Sequence, residues 1–97
     1  MIPDDVVKFV TRRFGPSERS EALSLLRAAT LHDGSAPGPR LFRCASVASG
    51  GSMERLRMEI ETLKRDYRDV IVEGEYLPVK GELIKVRDLS KPIPDDA

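Results

Sequence analysis

The 97 residues carry 16 basic and 16 acidic side chains, for a formal net charge of zero. That size gives one domain with a thin core, and 40% hydrophobic against 33% charged residues is a globular composition rather than a disordered one. A neutral balance supplies no field to draw in nucleic acid or an anionic membrane, and the single cysteine, Cys44, excludes an internal disulfide.

Residues 3–14 are predicted to form a first helix. Pro3 suits its first position, Asp4 and Asp5 favour the positive end of its dipole, and Val6, Val7, Val10 and Phe14 recur at helical spacing. Gly15 is expected as a left-handed stop, with Pro16 blocking continuation. A second helix is predicted over 17–31, capped by Ser17, with an apolar stripe of Ala22, Leu23, Leu25, Leu26, Ala29 and Thr30. The Gly-, Pro- and Ser-rich residues from His32 to Pro39 form a loop.

Residues 39–49 read as a helix opened by Pro39, with Leu41, Phe42, Cys44, Ala45, Val47 and Ala48 inward, or as a short buried strand. The small residues Ala45, Ser46 and Ala48 favour the helix, which Gly50-Gly51 ends. Residues 52–66 give the clearest helix, capped by Ser52, with Leu56, Ile60, Leu63 and Tyr67 on one stripe and Glu61–Arg65 as a surface pair.

The register runs on toward Leu77, but an unbroken helix of that length is long for so small a domain. A break is therefore expected at Asp66, a good capping residue. Asp66, Arg68 and Asp69 form the candidate structural joint, with Arg68 expected to reach another element and either Arg68 or Asp69 expected to lock the joint. Val70-Ile71-Val72 as a strand is the alternative. Pro78 stops any helix. Val79-Lys80-Gly81-Glu82 is a predicted turn, and Leu83–Val86 a short strand or an extended arm. Residues 91–97, with Pro92, Pro94 and an acidic end, are expected to form a flexible tail beyond a single domain at 1–90.

No chemistry-bearing constellation emerges. One His and one Cys supply no zinc set, and His32 reads as a solvated residue. Cys44 sits in an apolar run where thiols are inert packing. Ser49-Gly50-Gly51-Ser52 lacks the Lys-Ser/Thr of a phosphate loop. No catalytic residue, cofactor or metal is assigned. No secretory leader or membrane-spanning run is read, which makes the cytoplasm the expected location. Arg40, Arg43, Arg55 and Arg57 offer a local basic patch for nucleic acid as an alternative, set against Glu54, Glu59 and Glu61 on the same helix.

The run from Arg43 through Gly50-Gly51, Leu56, Asp66-Tyr67-Arg68-Asp69-Val70-Ile71 and Glu75-Tyr76 to Val86-Arg87-Asp88-Leu89 resembles a group of short bacterial proteins of unknown function. The resemblance covers residues 40–90. It implies a bacterial, cytoplasmic, helical protein and assigns no catalytic residue.

The expected fold is mainly α, a small bundle of four to five short helices with an extended C-terminal arm or short hairpin. The expected function is a non-enzymatic interaction or regulatory module that binds a protein partner or itself. Its candidate contact surface is Glu73, Glu75, Tyr76 and Leu77, because tyrosine brings contact area with a polar tip.

Overall fold

In the computed structural model, which describes residues 1–97, four helices precede an antiparallel hairpin. Helix α1 (Asp4–Arg13) buries Val6, Phe9 and Val10, the apolar face that its sequence spacing sets up. It ends at Phe14, whose extended backbone turns the chain while its ring enters the core. The stop is therefore made by a buried aromatic residue. Gly15 does not adopt the expected left-handed conformation.

Helix α2 (Arg19–Ala28) starts later than expected. The N–H groups of Glu18 and Arg19 both donate to the Gly15 carbonyl, so Ser17 lies inside that turn and does not cap the helix. The helix buries Ala22 and Leu26.

Helix α3 (Pro39–Ser49) resolves the helix-or-strand alternative for this segment. Phe42, Cys44 and Ala45 are buried as expected, and so are Ser46 and Ser49. Their hydroxyls donate to the carbonyls of Phe42 (2.8 Å) and Ser46 (2.6 Å), which satisfies them without any partner outside the helix. That leaves a face of small residues on which the next helix packs closely, and α3 against α4 is the most extensive contact in the fold.

Helix α4 (Met53–Glu75) is capped by Ser52, whose Oγ accepts the Arg55 N–H at 3.3 Å. It is broken at Asp66, which is extended (φ −158°, ψ 101°) between helical neighbours. Val70-Ile71-Val72 is helical, not a strand. Because of the kink, Tyr67 leaves the stripe of Leu56 and Leu63 and is largely exposed. Arg65 donates to Thr62 and not to Glu61.

Strands β1 (Tyr76–Val79) and β2 (Glu82–Lys85) pair with Tyr76 opposite Lys85 and Val79 opposite Glu82. Lys80 (φ 50°) and Gly81 (φ 83°) make the connection, a two-residue turn with both residues left-handed. The core gathers Val6, Phe9, Phe14, Leu26, Phe42, Leu56, Leu63 and Val70, and it also takes Leu89 and Ile93 from the end of the chain.

Residues 91–97 thus do not fray as expected. Ile93 is buried, its N–H donates to Asp5 Oδ2 at 3.0 Å, and Arg12 donates to the carbonyls of Pro94 and Ala97. An isoleucine among prolines and acids is enough to dock the segment once the core offers it a place.

Candidate functional site

The end of α4 is held by one carboxylate. Glu75 is wholly buried. Arg40 of α3 donates to it twice, Nε to Oε2 and Nη2 to Oε1, each at 2.8 Å, the bidentate geometry that makes such pairs strong and directional. The Leu89 N–H adds a third bond at 3.1 Å, and Lys85 Nζ lies 3.4 Å away. The Arg40 hydrogen bonds hold the Glu75 carboxyl below its ordinary range. One side chain thereby joins α3, the root of β1, β2 and the C-terminal segment.

Cys44 completes this cluster, its thiol 3.7 Å from Glu75 Oε2. Burial first, and then the Glu75 charge, push the thiol up to about 12. It stays protonated at neutral pH and packs rather than reacts. Gly74 lies directly on it: a Cβ there would stand 2.7 Å from the Cys44 Cα and 2.9 Å from its carbonyl oxygen, so the helices approach only because this position has no side chain. Arg87 donates to the Gly74 carbonyl at 2.8 Å, and the Val86 N–H donates to that of Glu75 at 2.8 Å.

A second clamp secures the arm. Arg43 donates to both Asp5 oxygens, at 2.9 and 3.3 Å, and to the Ser90 carbonyl at 3.3 Å. Burial alone raises the Asp5 carboxyl, but the Arg43 hydrogen bond, the Ile93 N–H and the Arg43 charge together bring it below its ordinary value. Arg57 pairs with Glu21 at 2.7 Å. Three of the four arginines of the basic patch are therefore engaged by carboxylates on different elements.

The candidate contact residues divide. Glu73 and Leu77 are exposed and Tyr76 is half-buried. Glu75 is the anchor just described and is inaccessible to a partner, because Arg40, remote in sequence, draws it inward. The structure adds residues that sequence reasoning did not assign. The register sets Leu77 opposite Ile84 and, one pair beyond the ladder, Glu75 opposite Val86, so Leu77, Val79, Ile84 and Val86 share one face of the hairpin. All four are 43–49% exposed, and Leu83 on the other face is 58% exposed. No apolar–polar alternation marks this face in the sequence, because Tyr76-Leu77-Pro78-Val79 is apolar throughout and Leu83 and Ile84 are adjacent; only the Lys80-Gly81 turn signals the hairpin.

The joint also differs from expectation. Arg68 turns back onto Asp66 rather than reaching another element, with Nε to Oδ1 at 3.0 Å and Nη2 to Oδ2 at 3.1 Å, while Asp66 Oδ1 accepts the Arg68 N–H at 3.1 Å. Residues two apart do not meet on a regular helix. They meet here because Asp66 is outside it, acting as cap. Asp69 makes no side-chain hydrogen bond or ion pair.

A cavity of about 270 Å³ lies beneath the C-terminal segment, lined by Phe9, Val47, Leu89, Ile93 and two arginines, Arg13 and Arg87 among others. No three His, Cys, Asp or Glu side chains converge as a metal-binding group. No helix is long and apolar enough to cross a membrane. No family model, curated protein or solved structure matches the chain.

Proposed function

We propose that this protein is a non-enzymatic interaction module whose contact element is the C-terminal hairpin. The observation that carries this reading is the aliphatic face of Leu77, Val79, Ile84 and Val86, left open to water. A two-stranded hairpin is marginal by itself, yet this one is held by a buried carboxylate at its root. A firmly anchored hairpin with a contiguous apolar face suits a recognition element. Leu77 belongs to that surface, whereas Tyr76, its neighbour in β1, lies on the opposite face of the hairpin. We further propose a bacterial, cytoplasmic setting for this role, a reading supported only by the resemblance to short bacterial proteins.

The test is photocrosslinking in the native host from a photoreactive residue at Val79, with the same residue at Glu61 as the control. Discrete protein adducts from Val79 and none from Glu61 are expected. Failure to crosslink from Val79, or the same adducts from both positions, overturns the proposal.

A further inference from the structure

The two edges of the hairpin are not equivalent. The Val86 N–H donates to the Glu75 carbonyl at 2.8 Å, which marks that pair as hydrogen-bonded across the ladder. Antiparallel pairs alternate, so Leu77–Ile84 and Val79–Glu82 are also hydrogen-bonded pairs, while Tyr76–Lys85 and Pro78–Leu83 point their backbone groups outward. On the outer edge of β1 one of those positions is Pro78, which has no N–H. On the outer edge of β2 the groups of Leu83 and Lys85 are intact, and residues 82–88 are all exposed. One edge is closed and the other is open.

Resting on the contact role proposed above, we infer that the open edge of β2 pairs antiparallel with β2 of a second copy, giving a continuous sheet with a twofold axis at Ile84. A twofold axis normal to a sheet keeps each side chain on its own face, so only registers centred on a residue are allowed. Centring on Glu82 sets two carboxylates together, and centring on Lys85 sets two ammonium groups together, both unfavourable across a strand pair; centring on Leu83 sets Lys85 opposite Gly81, a left-handed turn residue outside the strand. Centring on Ile84 sets the isoleucines together on the axis. It places Leu83 opposite Lys85 of the second copy, and so uses the N–H and C=O of both residues reciprocally. It also brings Glu82 beside Val86 and Lys80 toward Asp88, of opposite charge. The zero net charge leaves no long-range repulsion between copies, and the apolar face of Leu77, Val79, Ile84 and Val86 becomes continuous across both.

The test is sedimentation velocity on the full chain from micromolar to near-millimolar concentration. The wild type is expected to dimerise. Leu83→Pro removes an outward N–H, leaves the ladder to β1 intact, and should weaken the dimer at least about tenfold. Leu83→Thr keeps the N–H and should dimerise within a few-fold of the wild type. Ile84→Lys, at an exposed position that the core does not need, should weaken the dimer by setting like charges on the axis, and added salt should partly restore it. A monomeric wild type overturns the self-pairing. So does a dimer that tolerates both Leu83→Pro and Ile84→Lys. In either case a Val79 adduct to a different protein would still support the contact role, whereas the absence of any Val79 adduct would remove both.

Discussion

Arg40 and Glu75 meet through two parallel hydrogen bonds of 2.8 Å, with the carboxylate fully buried and the guanidinium side chain 41% exposed. The arginine keeps contact with water and the glutamate does not, so the two partners do not share the burden of burial equally. Removing Arg40 leaves a buried charge with weaker partners. Removing Glu75 frees a cation that water can still reach. Arg40→Ala is therefore expected to destabilise the fold more than Glu75→Gln, by about 2–4 kcal/mol in urea unfolding. Equal losses would show that the carboxylate is not the dependent partner. The lowered Glu75 carboxyl contributes stability above the unfolded carboxyl range, and that stability is lost as pH falls through its folded value.

Glu59 behaves in the opposite sense. It is 7% exposed, its Oε1 has no hydrogen-bond partner, and burial followed by the Glu73 charge pushes it up to about 7. Along an unbroken helix Glu59 and Glu73 would stand about 20 Å apart, so their coupling follows from the bend at Asp66. The folded state binds this proton more tightly than the unfolded chain. The associated stability is complete below the ordinary glutamate range and fades as pH rises through about 7. Glu59→Gln should raise the melting temperature at pH 8 by several degrees and leave it nearly unchanged at pH 4. A uniform shift at both would remove the titration as the cause.

Gly74→Ala introduces a methyl group into the backbone of Cys44. The gain in helix propensity is about 1 kcal/mol, and overpacking costs about 1–3 kcal/mol. Because the clash is with backbone, a net loss is expected in chemical denaturation, along with faster thiol reaction at Cys44 as α3 and α4 part. A stabilised variant would contradict the contact.

The native Cys44 thiol should resist a thiol-reactive dye at neutral pH. It is buried and held protonated, so its labelling rate should follow global unfolding and rise with denaturant. Rapid labelling of the native protein would show that the cluster around Glu75 opens locally.

At the joint, Asp66→Ala removes both the cap and the Arg68 pair and is expected to lower the melting temperature by a few degrees. Asp69→Ala should be nearly silent, contrary to the sequence-based expectation. The reverse order would place the lock at Asp69.

These residues show what the sequence carries and what it does not. The Ser52 cap, the break at Asp66 and the turn at Lys80-Gly81 are legible because each depends on chemistry within a few residues. The role of Glu75 is not. A glutamate beside a tyrosine reads as surface, and only the folding of α3 onto α4 brings Arg40 to it. Ile93 is hidden in the same way: its short apolar signal lies among prolines, and the pocket that receives it is built by α1 and α3. The hairpin stood between these cases. Its turn and second strand are visible, but Pro78 and the helical register before it mask the first strand.

The bond from the Ile93 N–H to Asp5 spans 88 positions of the chain. Asp5 and Arg43 can be assembled early, but their cage stays open until residue 93 is free to enter it. During synthesis the nascent chain must therefore hold α1 beside an unfinished wall, with Phe9 and its neighbours only partly covered. Closure comes late, because the residues that complete it are among the last to be made. A chain shortened before Ile93 would keep its helices and lose the seal between its first element and its last.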